Sequence, residues 1–249
     1  MRPSGARVWL LWALAAASCT DTGQNRVAIP LRLAGSELAA PALAHGAIAV
    51  QLERADLAFG PLYLCAGEQA GDTCETARAE WLSSAIVNLL DPEPSAAGVI
   101  EAVTGSVHSY MYDLGLTSIL TREEPLTLAA AEALGGFSLV LEGRARLASG
   151  PAHFTAHVAL AQSPQTELGV PVVRSSAVDR FEHEIVPGEP GLDLRFDVRQ
   201  LIAAIDFEQA CAGQSDCGEL DPNGQGIRAI RQALSAGARP EFRWAETDD

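Results

Sequence analysis

The chain has 249 residues, with 17 basic side chains against 32 acidic ones and a formal charge of −15. All 17 basic residues are arginines, which excludes Schiff-base lysines, phosphate-loop lysines and Ser–Lys dyads. Acid spread along the chain argues against counterion-release binding to DNA or RNA, so no nucleic-acid partner is expected, and the length suits one domain.

The first element is a leader. Arg2 and Arg7 precede an unbroken apolar run over residues 8–17. That run falls short of the roughly 20 residues a bilayer span needs, but it suits the apolar core of an export signal. It ends in Ala16-Ala17-Ser18-Cys19, which resembles the lipobox of bacterial lipoproteins, where small residues precede a cysteine whose thiol receives a diacylglyceryl group. The resemblance implies a signal peptide over 1–18, lipidation of Cys19, a flexible polar tether over 19–26 and the membrane as a partner through the lipid. Each buried CH₂ of such a lipid contributes about 0.8 kcal/mol, so several acyl chains hold firmly. In the enterobacterial sorting pattern an Asp after the cysteine favours the inner membrane; Thr20 stands there, which implies the outer membrane of a Gram-negative bacterium. The competing reading is a plain secretory leader cut near Ala17, with Cys19 an ordinary cysteine.

Short strands punctuated by Gly and Pro follow. Residues 27–33 alternate, with Val27, Ile29, Leu31 and Leu33 on one face, and Pro30 predicts an edge strand. Residues 47–65 alternate through Ile48, Val50 and Leu52, then change phase to Ala55, Leu57 and Phe59, as a bulge would cause. Residues 84–91 read as a buried strand, and 99–118 as a hairpin or a strand bent around Gly105. Residues 137–147 and 153–161 flank Ala-Ser-Gly-Pro-Ala, a strong hairpin signal. Residues 178–186 and 192–197, separated by Pro-Gly-Glu-Pro-Gly, read as a second strand pair. Helices come late: 197–207 with Asp197 as N-cap, and 226–237 with Ile227, Ile230 and Leu234 on one face and Gly237 at its end. A further short helix is predicted within 122–136, and residues 241–244 return as a strand with Trp244 over the core. The expected fold is mainly β, an antiparallel β-sandwich over residues 27–249 with one or two short helices in its C-terminal portion, 198–249.

Five cysteines are an odd number for an exported chain. Spending Cys19 on a lipid leaves Cys65, Cys74, Cys211 and Cys217 in two polar, Gly-containing segments. The expected disulfides are Cys65–Cys74 and Cys211–Cys217, although four cysteines allow three connectivities and four reduced thiols are the bland alternative. Neither segment has Cys-x-x-Cys spacing or a histidine, which argues against a zinc site there.

Candidate chemistry rests on histidines. His153 and His157 share a strand face, but four strand residues span roughly 13 Å, too far for one metal ion. His183 shares parity with Phe181 and Ile185 and is expected to face the core or a pocket, with Glu182 and Glu184 turned away. His108 alternates with Ser106, Tyr110 and Tyr112. Convergence of two or three of His108, His153, His157 and His183 would make a copper or zinc site; with none, no cofactor is expected. The Gly-x-Gly-x-x-Ala run at 224–229 lacks a preceding strand, and 221–226 lacks the spaced acids of a calcium loop.

The order of the segments beginning at Ala55, Val87, Gly105, Phe137, His153 and Leu192 resembles that of methanobactin-associated periplasmic copper-binding proteins, over about Ala47 to Ile202. The resemblance implies a β-rich envelope protein, copper as ligand, and His157 as the residue nearest a family-like strand histidine. An Ala-rich stretch stands where that family has Trp-rich and Asn-His segments. The leading expectation is a lipid-anchored, non-enzymatic binding or structural module. A metal-binding protein using strand histidines and an envelope hydrolase are the alternatives.

Overall fold

A computed structural model describes residues 25–37, 41–70, 74, 76–117, 126–160, 173–174, 181–211, 216–236 and 238–245. The leader, Cys19 and the tether up to residue 24 lie outside the described residues. Along the chain come β1 (Arg26–Ala34), β2 (Ala42–Leu43), β3 (Ala49–Phe59), β4 (Leu62–Cys65), β5 (Ala77–Trp81), β6 (Ala85–Asn88), β7 (Ser95–Val103), β8 (Gly105–Val107), β9 (Ser109–Tyr112) and β10 (Leu116–Thr117). There follow β11 (Leu126–Thr127), α1 (Ala129–Ala133), β12 (Leu139–Leu147), β13 (Gly150–Val158), β14 (Val173–Arg174), β15 (His183–Ile185) and β16 (Leu192–Arg195). The chain then forms α2 (Val198–Ala203), α3 (Phe207–Ala210), β17 (Gly218–Glu219), α4 (Gln225–Ala236) and β18 (Glu241–Trp244).

The architecture is a β-sandwich rich in antiparallel pairs. One sheet runs β14-β9-β4-β5-β7-β1-β16-β18; the other runs β17-β13-β12-β3-β2, with β6 on the second half of β3. The alternation read from sequence places the inner faces. In β1, Val27, Ile29, Leu31 and Leu33 are buried, while Arg26, Ala28, Pro30 and Arg32 are exposed. These inner residues join Leu57, Phe59, Leu139, Leu141 and Phe154 of the facing sheet in one core, which Leu201 and Ile202 of α2 and Ile227, Ile230 and Leu234 of α4 extend. Asp197 caps α2 by accepting from the Arg199 N–H, and Asp206 caps α3 through the Gln209 N–H.

The predicted hairpin is β12 and β13, paired from Leu139↔Val158 to Leu147↔Gly150. The phase change in β3 is a bulge: Leu52 faces Gly143 and Arg54 faces Glu142, with Glu53 the extra residue. A Cβ on Gly143 would stand 2.3 Å from the Gln51 carbonyl oxygen, so the bulged backbone closes over a position that only glycine fits. Gly143→Ala is therefore expected to destabilise by about 1–3 kcal/mol through overpacking, read as a lower urea midpoint with unchanged slope.

Three local expectations change. Pro30 does not mark an edge: β1 lies between β7 and β16. Pairing with β16 begins only at Leu31↔Leu192, and the Pro30 carbonyl faces Gly191 just before it. The missing N–H thus points where no ladder partner is required. Residues 84–91 are not a buried strand; β6 is a four-residue edge strand on β3, with only Val87 buried and Ile86 exposed. Residues 181–186 and 192–197 do not form a hairpin either, and 178–180 lie outside the described residues. β15 pairs with β8, and β16 lies parallel to β1 and antiparallel to β18. That parallel register sets Leu192 and Leu194 beside Leu31 and Leu33 on the core face, a larger apolar burial than a two-strand pair offers.

The disulfides are Cys65–Cys74 and Cys211–Cys217, the local pairing read from sequence. The first holds the loop after β4 over Tyr63 and Met111, on the outer face of the sheet. The second closes the segment between α3 and β17. Loops of 9 and 6 residues correspond to about 2–3 kcal/mol each by the chain-entropy account.

Candidate functional site

The four candidate histidines take separate places. Among the described residues, no three His, Cys, Asp or Glu side chains gather as a metal centre requires. His153 and His157 lie on the outer face of β13, opposite buried Phe154 and Ala156. His153 is exposed; His157 stacks on Phe137 at 4.7 Å and places Nδ1 3.1 Å from Glu219 Oε1. His108 is half-buried between β8 and β9, where its backbone N–H donates to the Cys65 carbonyl.

His183 has the most structured surroundings. Its ring lies flat on Trp244, with centroids 3.6 Å apart and planes 8° from parallel. Its Nε2 sits 3.2 Å from Oε2 of Glu189, whose side chain is only 3% exposed. The same carboxylate oxygen faces the Val186 N–H at 3.4 Å. Glu182 and Glu184 are exposed, as the strand parity predicted. The carboxylate that orients the imidazole comes instead from the turn six residues on, which strand parity could not reveal.

The residues with the most chemistry were not among the sequence candidates. Because β1 and β16 are parallel, both leave the sheet at the same end, and their continuations form two walls of a crevice outside their C-terminal ends. One continuation is Gly35-Ser36-Glu37; the other is Asp197 and the first turn of α2. The entry to β18 makes the third wall. The cavity so formed has a volume of about 390 Å³ and is lined by Arg195, Arg199, Arg239 and Arg243 with Glu37, Asp197 and Glu241. Ser36 and Gln200 complete it.

Local contacts fix the walls. The Ser36 hydroxyl donates to the Phe196 carbonyl at 2.8 Å, the Gly35 N–H to Asp91 at 2.7 Å and the Phe196 N–H to Ala34 at 2.9 Å. Arg195 Nη1 donates to the Gly35 carbonyl at 3.3 Å, tying the two continuations together. Arg199 forks onto its own cap residue Asp197, with Nη2 2.6 Å from Oδ2 and Nε 2.8 Å from Oδ1. Arg243 forks onto Glu241, both bonds 2.8 Å. The hydrogen bonds from Arg199 hold the Asp197 carboxyl below its ordinary range. Those from Arg243, with the charge of Arg195 adding, do the same for Glu241. Arg239 is held against the Tyr110 hydroxyl. Both paired carboxylates therefore stay ionised well into the acid range, and the cavity keeps its mixed charge there. Such a surface can orient a charged solute by bidentate bonds.

The cavity was invisible in the sequence because the outward positions of β16 and β18 read only as polar. Register brings Arg195 opposite Glu241 and Asp193 opposite Arg243, with Arg32 of β1 bonded to Asp193 at 2.6 Å.

No protein family matches the chain, and no curated protein does. A solved structure, MbnP from Methylosinus trichosporium, is similar at a TM-score of 0.47 and 11% identity, covering 90% of this chain and 99% of that chain.

Proposed function

We propose that this chain is a lipid-anchored binding module of the cell envelope that acts by holding a small solute with an oxyanion group in the arginine-lined cavity, not by catalysis. The observation that carries the reading is the gathering of four guanidinium groups on one 390 Å³ cavity in a chain whose overall charge is −15. Guanidinium forks match carboxylate and phosphate oxygens, and the volume falls in the ordinary range of small-molecule sites. The one lining hydroxyl among the described residues, on Ser36, is spent on the Phe196 carbonyl, which favours binding over nucleophilic attack. Export, acylation of Cys19 and an outer-membrane address follow from the leader. The acidic charge argues for a partner that is neither DNA nor RNA.

Calorimetric titration of the detergent-solubilised full chain with carboxylates and inorganic phosphate tests the cavity. Arg195→Gln is expected to weaken binding about tenfold or more, the loss of one charge-assisted bond pair. Arg146→Gln, an exposed arginine on β12, is expected to leave it unchanged. Equal affinity in the Arg195→Gln protein would remove the cavity from consideration.

A further inference from the structure

Resting on the lipid anchor read from the leader, we infer that the end of the sandwich where β1 begins is a headgroup-binding surface. Arg26 and Arg78 there take the phosphates of anionic phospholipids around Val186, and the arginine-lined cavity lies on the side away from the membrane. The place where the chain enters the fold carries this. The Asn25 N–H donates to the Thr104 hydroxyl at 3.1 Å and the Thr104 N–H to the Asn25 carbonyl at 2.9 Å, which fixes the entry on the turn between β7 and β8. Residues 19–24 precede it from the lipidated cysteine on, a reach of at most about 20 Å. A bilayer held that close meets this end at a high effective concentration, so contacts too weak to form in free solution become populated.

The side chains at this rim suit headgroups. β7 lies between β5 and β1; Arg26 pairs with Val103 and Ala79 with Ala102, so Arg26 and Arg78 stand on either side of Val103. The Arg78 guanidinium lies over Gly105, where an added Cβ would stand 3.2 Å from its Cζ. Neither arginine has a hydrogen bond or ion pair among the described residues, and Arg78 Nε is buried. Ile185 pairs with Gly105, which brings Val186, 46% exposed, to the same rim. Of the acids on β15 and its turn, Glu184 accepts from the Ser106 hydroxyl and Glu189 is buried against His183. An arginine near an anionic surface strengthens association about fivefold, and Val186 adds apolar contact at the headgroup boundary. Glu80 and Glu101 face each other on the outer face of the sheet, roughly 7 Å from the rim. Their repulsion from the same headgroups keeps that face off the bilayer, so the molecule stands on its end. The cavity lies beyond the opposite end of β1, past Ala34, roughly 25–30 Å along the strand. It is therefore on the aqueous side and takes its solute from water, not from the lipid.

The test uses the full acylated chain in vesicles of phosphatidylcholine and phosphatidylglycerol and, for reference, in detergent micelles. Phenylglyoxal labelling read by mass spectrometry gives a rate for each arginine in both. Arg26 is expected to react about tenfold more slowly on vesicles, while Arg199 and Arg243, at the cavity, keep their micelle rates. Arg78→Gln and Val186→Ser are each expected to bring the slowing down to about threefold or less. Val186 is exposed, so Val186→Ser is expected to keep the parent melting temperature. If vesicle-bound protein labels at Arg26 as fast as in micelles, if Arg199 and Arg243 slow as much as Arg26, or if both variants keep the full slowing, the surface is overturned and the anchor stands. If the chain does not sediment with the vesicles, the anchor falls and the surface with it. The calorimetric test of the cavity is independent of either result.

Discussion

Phe59→Ala is expected to lower the free energy of unfolding by about 3–5 kcal/mol, roughly a fifth or more of the total for an ordinary domain. Phe59 ends β3 in one sheet, is fully buried, and reaches across to aromatic rings carried by the other. Its ring centroid lies 5.2 Å from Tyr112 of β9, 6.1 Å from Trp81 of β5 and 5.1 Å from Phe196 after β16. Each such pair contributes about 0.5–1.5 kcal/mol beyond the area it buries. The cavity left by truncation cannot close, because its lining side chains stand on strands fixed in two different sheets. Urea denaturation reads the loss as a lower midpoint with unchanged slope. Leu43→Ala, at 58% exposure on β2, is expected to stay within about 0.5 kcal/mol of the parent. A Phe59→Ala shift below about 1 kcal/mol would mean that the two sheets do not meet through this ring.

What the sequence could reveal was whatever short-range pattern determines. Period-two alternation gave the inner face of β1 and the β12–β13 hairpin. The change of phase after Leu52 gave the bulge that Gly143 accommodates, and Asp197 ahead of an apolar stripe gave the α2 cap. Close cysteine spacing gave both disulfides. Choice of strand partner is not a short-range property. Leu31 and Leu192 are neighbours across a parallel pair although 161 residues separate them in the chain, and either could have formed an alternating pair elsewhere. Pro30 misled for that reason: it reports a missing donor but not which side lacks a partner. The arginine cavity depends on the same non-local pairing, since Glu37, Arg195 and Arg243 meet only once β1, β16 and β18 lie together. The histidines show the converse. Parity placed His153 and His157 on one outer face and turned Glu182 and Glu184 away from His183, but it could not show that the latter's partners are Glu189 and Trp244.

Above pH 10 the protein is expected to lose stability at a rate that reaches about 3 kcal/mol per pH unit. The chain has three tyrosines and no lysine, so tyrosines dominate the titration of the folded body between pH 9 and 12. All three hydroxyls resist ionisation. Burial pushes Tyr63 up to about 12, with the charges of Asp113 and Glu80 adding. Burial also raises Tyr110 against the opposing charge of Arg239, and raises Tyr112 still further, with Tyr110 adding and Arg239 again opposing. Among the described residues the hydroxyls of Tyr63 and Tyr112 are buried without a hydrogen-bond partner, so no neighbour there would stabilise either phenolate in place. The sign follows from proton binding. An unfolded tyrosine releases its proton near pH 10 while the folded one keeps it, so above pH 10 the unfolded state holds fewer protons and folding weakens as pH rises. Tyr63 and Tyr112 each contribute about 1.4 kcal/mol per pH unit in that window, Tyr110 adds in the same direction, and none contributes below about pH 9. Urea midpoints across this range, with phenolate absorbance recorded on the same samples, measure the effect. Absorbance is expected to rise together with unfolding, and Tyr63→Phe to reduce the slope of stability against pH by about 1.4 kcal/mol per pH unit. Three phenolates appearing along a single curve centred near pH 10 in protein that is still folded would show that these hydroxyls are solvated, and with that the sealed aromatic junction around Phe59 and Tyr112 would be lost.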